Sequence, residues 1–202
     1  MIYEIDYNGL FSQILASPME SKIKFLSEKL PDQFHEKYLL MTPRIINLCR
    51  YEIGSFEYIY DDYATLETKG IVPYSPTIES RVVGVLGLSN PPVAPRKDAS
   101  RRSGWVGQTG KYFGANTDKG HFIAHTMGGG LECNLFAQRR DINQGKSERG
   151  KVFREMEKYC ARHAGTFCFN RPLYSEDTSR PRMIEFGLLM ESGELWVERF
   201  EN

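Results

Sequence analysis

Apolar residues recur at helical spacing from Met19 onward, with Met19, Ile23, Leu26 and Leu30 on one stripe. Ser17-Pro18-Met19-Glu20 reads as a helix start: Ser17 can cap, Pro18 suits the first helical position, and Glu20 completes a capping box. Pro31 is expected to stop this run, with a second helix over Gln33 to Leu40. The stretch from Ile45 to Tyr63 is rich in Ile, Tyr and Phe and reads equally as helix or strand. Arg81 to Leu88 (RVVGVLGL) predicts a buried strand, which Ser89-Asn90-Pro91-Pro92 then breaks. Residues 89–117, with Pro95 and the basic cluster Arg96, Lys97, Arg101 and Arg102, read as a long functional loop with little regular structure. From Lys151 to His163 the pattern is helical again, with Val152, Phe153, Met156, Tyr159 and Cys160 on one face and Gly165 as the stop. Thr166–Leu173, Met183–Glu191 and Glu194–Phe200 predict three strands, with Ser192-Gly193 turning between the last two. Helices, a strand, a loop, a further helix and a closing meander make the expected class α+β with a mostly antiparallel sheet.

The 202 residues suit one domain or one domain with an N-terminal extension, and a hydrophobic fraction of 41% can fill a core. No apolar run is long enough to span a bilayer, so no membrane partner is expected. Glu4 and Asp6 stand where a signal peptide wants basic and then apolar residues. The expected location is therefore cytoplasmic, or exported without a cleaved signal. Cys49, Cys133, Cys160 and Cys168 lack CxxC spacing, which argues against a zinc site and for reduced thiols. Net charge is zero but unevenly spread. Residues 1–90 hold 8 basic and 12 acidic side chains (net −4), residues 91–165 hold 14 and 7 (net +7), and residues 166–202 hold 4 and 7 (net −3). A basic centre between acidic flanks is what a polyanion-binding face leaves in a sequence.

Three short pieces lie in that basic centre: Asp118-Lys119-Gly120-His121, Asn134-Leu135-Phe136-Ala137-Gln138, and Asp141-Ile142-Asn143-Gln144-Gly145. Hydrolysing a phosphodiester near neutral pH needs a base for water, a cation for the developing charge, and help for the leaving oxygen. Histidine suits the base by its pKa. An Asn amide oxygen suits a hard cation and leaves most of the coordination shell to water and substrate.

DKGH, NLFAQ and DINQG, in this order and spacing, resemble the DNA/RNA non-specific endonuclease family, the ββα-metal nucleases with a DRGH signature. The resemblance is tight over residues 118–145, looser over 146–202, and absent over 1–80. It implies a ββα-metal core with an N-terminal helical extension, and a division into residues 1–80 and a nuclease domain over 81–202. It implies His121 as general base and Asn143 as direct Mg2+ ligand, with Mn2+ able to substitute. Asn134 would hold His121 or the water network, Asp118 belongs to the same catalytic set, and a helical glutamate would orient metal-bound water. Lys119, Arg139 and Arg140 would meet the phosphates of DNA or RNA.

The chain departs from the family in two ways. Lys119 replaces the usual Arg, keeping the charge but losing the bidentate fork. Glu157, the choice for the glutamate from the pattern around Phe153, lies further from Asn143 than the family norm, about 21 Å along a straight helix at ~1.5 Å per residue. Residues 146–150 must therefore bulge outward if Glu157 serves; a continuous helix would make Glu148 the rival. A role as a toxin or effector with an immunity or inhibitor protein is an expectation of family analogy alone. The alternative is a catalytically silent nucleic-acid-binding module on the same fold. More ordinary roles are open too: Asn143 as a helix cap, Asn134 bonding a turn, His125 as a structural residue, His35 and His163 in helix packing, and Gly128-Gly129-Gly130 as a flexible turn.

Overall fold

A computed structural model describes residues 3–92 and 116–202. The expected loop over 89–117, with its basic cluster, falls mostly outside the described residues. Asp6 caps a short helix α1 (Tyr7–Ser12), accepting from the Gly9 backbone N–H at 2.9 Å. Helix α2 runs unbroken over Met19–Met41, so the expected stop at Pro31 does not occur. Pro31 lacks the N–H that would bond the preceding turn, at a cost of about 3 kcal/mol. Against that, Leu26, Leu30, Phe34 and Tyr38 are all buried along one side of the helix. At ~1.5–3 kcal/mol per buried side chain, that stripe outweighs the defect. Nor does Ser17 cap the helix: the position before its first residue is Pro18, with no side-chain cap bond.

The ambiguous stretch resolves into a hairpin, β1 (Leu48–Ile53) and β2 (Phe56–Asp61), turning at Gly54 with φ +64°, followed by the short helix α3 (Tyr63–Thr68). Strand β3 (Arg81–Leu88) lies where RVVGVLGL predicts it. After the undescribed segment come β4 (Thr117–His121), β5 (Leu135–Arg139), a single helical turn α4 (Arg140–Asn143) and α5 (Glu148–Arg162). Strands β6 (Phe167–Leu173), β7 (Met183–Leu189) and β8 (Leu195–Glu201) close the chain as the expected meander.

Six strands form one antiparallel sheet in the order β1-β2-β3-β6-β7-β8, and β4 and β5 form a separate two-stranded ladder. The class is α+β with antiparallel pairing throughout the described strands. Each face of the large sheet is covered. On one, α1 and α2 pack on Ile59, Val83, Leu86, Phe167 and Phe169. On the other, Phe122, Phe136, Ile142, Phe153 and Met156 from the ladder and its helix pack on Tyr58, Val85, Cys168, Phe186 and Phe200. Burial on both faces explains why β3 is apolar without alternation. A bulge opposite Ile59 and Tyr60 carries Gly84 to the α2 side, where a Cβ would collide with the Phe34 ring. Among the described residues no helix is long and apolar enough to cross a membrane. The four cysteines are free thiols, three of them buried.

Residues 1–80 supply two strands of the sheet and the helix that covers one face. They are also tied to its far end by buried charge. Glu185 on β7 accepts from Arg171 at 2.8 Å, Tyr7 at 2.6 Å and Arg199 at 2.9 Å, and Arg171 donates to the Tyr3 carbonyl at 2.7 Å.

Candidate functional site

The three motif pieces fold as one unit. DKGH is β4, NLFAQ leads into and forms β5, and DINQG is the helical turn α4 with its exit. Gly120 is required by close approach: a Cβ there would overlap the side chain of Gln138, buried diagonally across the ladder and directly opposite Asp118. Among the described residues the Gln138 Nε2 has no hydrogen-bond partner.

Asp118 is the hub of the unit. Its carboxylate accepts from Arg140 Nε at 2.8 Å, Gln144 Nε2 at 2.7 Å and Asn143 Nδ2 at 3.4 Å. Partial burial pulls the Asp118 carboxyl upward, but these three donors and the Arg140 charge outweigh it and hold it below its ordinary range. Asn143 therefore meets the DKGH segment at Asp118, through its nitrogen, leaving its amide oxygen on the other branch of the side chain. Strand alternation puts Lys119 and His121 on one face of the ladder and Asp118 and Gly120 on the other. His121, half-buried, is the last residue of β4.

Beyond His121 the chain is held by two buried asparagines. Asn134 accepts from the Ile123 N–H at 2.8 Å and donates to the carbonyls of Ile123 at 2.8 Å and Gly130 at 2.7 Å. Its amide thus fixes the loop after the histidine. Asn170 on β6 donates to the Phe122 carbonyl at 2.6 Å. Asn170 was not singled out from sequence, though a lone amide inside the apolar strand FCFNRPL is the kind of signal that marks a buried polar anchor. His125 opens a short 3-10 turn off the strand. In the glycine run, the N–H groups of Gly128 and Gly129 bond the carbonyls of His125 and Ala124, and Gly129 packs where a Cβ would strike the Ile123 carbonyl. The run is a closed turn, with those donors spent on backbone.

The chain does break between the two helical pieces, but earlier than the bulge expected over residues 146–150: residues 148–150 already belong to α5. Residues 144–147 separate α4 from α5, Gly145 has φ +66°, and Ser147 caps α5 by accepting from Gly150 at 3.0 Å. Gly150 sits where a Cβ would overlap the Asp141 carbonyl, so the first turn of α5 folds back on α4. Glu157 then lines an open groove of about 870 Å³ together with Gln144, Gly145 and Thr126. Burial pushes its carboxyl above the ordinary range, only partly offset by Arg154, whose NH1 donates at 2.9 Å. Glu148 points to solvent and pairs with Lys151.

Of the basic residues expected on phosphate, Arg139 donates through Nε and Nη2 to Asp141, at 3.0 and 2.8 Å, and Arg140 is bound to Asp118. Lys119 lies on β4, half-buried. Among the described residues no group of three or more His, Cys, Asp or Glu is placed to hold a metal ion. A hard cation held through one amide oxygen and water does not need such a group. The donors near Asn143 are oxygens of amide and carboxylate type, which fits Mg2+ or Mn2+ rather than a soft metal. The chain matches no family model, and no curated protein matches it.

Proposed function

We propose that this chain is a metal-dependent endonuclease that hydrolyses phosphodiester bonds of DNA and RNA with low sequence specificity on a ββα-metal core. The observation that supports it best is the joining of the three motif pieces into one strand–strand–helix unit, with Asn143 bonded to Asp118 of DKGH. In this reading the neutral imidazole of His121 takes a proton from water as the water oxygen bonds to phosphorus. The bond from phosphorus to the leaving oxygen breaks, and that oxygen gains a proton from solvent. Lys119 offers its ammonium to a non-bridging phosphate oxygen. Asn143 would hold Mg2+ or Mn2+ through its amide oxygen, with Glu157 facing the water around it. Such a cation, when bound, offsets charge on the phosphorane and the leaving oxygen. Asp118 orients Asn143 and Gln144, and Asn134 and Asn170 hold the chain just past His121. Contacts to phosphate rather than to base edges account for the low specificity. An immunity or inhibitor protein as partner belongs to the same reading by analogy.

The test is digestion of supercoiled plasmid and structured RNA with Mg2+, with Mn2+ and with EDTA. Cutting should need the metal, and His121→Ala should lose at least the ~10²–10⁴-fold of a general base while still binding nucleic acid. Undiminished cutting in EDTA, or a His121→Ala variant within about threefold of the parent, overturns the assignment. Binding with no cutting under any metal would favour the silent binding module instead.

A further inference from the structure

The ion pairs that occupy Arg139 and Arg140 leave open which cations carry the nucleic-acid backbone. Helix α5 presents Lys151, Arg154, Lys158 and Arg162 at spacings of three and four along the wall of the groove that Glu157 lines. Their partners are their own neighbours: Lys151 meets Glu148 at 2.5 Å, Lys158 meets Glu155 at 2.7 Å, and Arg162 reaches Glu155 at 3.6 Å. The side chains of Lys151, Lys158 and Arg162 are 61%, 62% and 65% exposed, so these are weak, solvent-screened surface pairs, which a phosphate can displace. From Lys151 to Arg162 the helix advances about 16 Å. Several phosphates of one strand fall within that length, since the axial rise is ~3.4 Å per nucleotide. The groove is also lined by Gln144 and Gly145, the two residues that follow Asn143 in the chain, and Gln144 bonds Asp118 of DKGH, which ties the groove to the candidate site.

We propose that the α5 groove is the track for the phosphate backbone of the substrate, with Lys151, Lys158 and Arg162 as its cations. This rests on the nuclease reading for its orientation toward Asn143. The test is equilibrium binding of a short fluorescein-labelled DNA duplex to the full chain in EDTA, across a range of salt. The variants are Lys151→Gln/Lys158→Gln/Arg162→Gln and, as a charge-matched control on exposed positions elsewhere, Lys24→Gln/Lys29→Gln/Lys69→Gln. Each loses three positive charges; circular dichroism melts verify folding. The α5 variant should lower the slope of log Kd against log salt by roughly two to three, at ~0.9 per lost phosphate contact, and the control should leave it unchanged. Equal slopes in all three proteins, or equal losses in both variants, overturn the proposal. If plasmid is cut but the α5 variant binds like the parent, the track fails while the nuclease reading stands. If the slope falls as expected but nothing is cut with metal, the track stands and the nuclease reading fails.

Discussion

The glycine of DKGH shows how one position couples sequence to site. Gly120 leaves the space that the buried Gln138 side chain fills, and Gln138 lies on the same ladder face as Asp118, the acceptor for Asn143. Gly120→Ala should cost about 1–3 kcal/mol through overpacking. Adding Gln138→Ala should recover part of that loss, since the second change empties the space the methyl needs. A double-mutant cycle in urea reads this coupling; strictly additive losses would show that the two residues do not meet as described. The roles of the other motif residues were only partly legible. Aspartate and asparagine in a motif announce polar work, but not whether their atoms face substrate or backbone. Asn134 spends its amide on Ile123 and Gly130, a pairing eleven and four residues away that spacing alone does not reveal.

At the scale of elements, the strands after residue 165, β3 and α5 could all be read from periodicity, because each is long and has a single dominant pattern. The failure at Pro31 came from judging a helix by its local chemistry when a packed stripe on both sides of the proline decides the outcome. The break at residues 144–147 was legible only in part: Gly145 and Gly150 pointed to an interruption, expected over 146–150, but Ser147 caps α5 so that residues 148–150 are already helical. That break brings Glu157 to the groove wall, buried, with its carboxyl held above the ordinary range by lost solvation. A raised folded-state value means that folding favours the protonated form. Its favourable contribution is complete below the ordinary glutamate range and is lost as pH rises through the raised value. Glu157→Gln, which mimics the protonated form, should therefore stabilise the metal-free protein more at pH 7 than at pH 4, and Arg154 is exposed enough to lose its partner cheaply. Urea melts at the two pH values check this, and an equal effect at both would contradict the burial argument. The same variant should lose cleavage while gaining stability, as expected where a fold retains a costly buried charge for function.

The whole molecule bears on the expected division at residue 80. The core motif could be found in the sequence because its residues lie close together; the role of residues 1–80 could not, because the contacts that decide it are non-local. Tyr7 bonds Glu185 and Phe34 packs against Phe169, each more than a hundred residues away, and β2 pairs with β3 across an intervening helix and loop. If residues 81–202 were an autonomous nuclease domain, a fragment of that range would unfold cooperatively and cut DNA. The packing argues against cooperative folding of that fragment and so, on the proposed nuclease reading, against cutting as well. The fragment loses Leu26, Leu30, Phe34 and Tyr38 from one side of the sheet and Phe56, Tyr58, Ile59 and Tyr60 from strand β2 within it, all buried. At ~1.5–3 kcal/mol for each, that is about 12–24 kcal/mol, as large as or larger than the ~5–15 kcal/mol by which a domain is stable at all. It also exposes β3 as a long apolar edge, which invites aggregation. The expected result is a fragment with no sharp thermal transition and rapid proteolysis, whereas adding back residues 1–80 as a separate chain should restore both structure and metal-dependent cutting. A fragment that melts cooperatively by itself, with cleavage comparable to the full chain, would show that the nuclease unit is self-sufficient and that the N-terminal strands and α2 are an accessory layer.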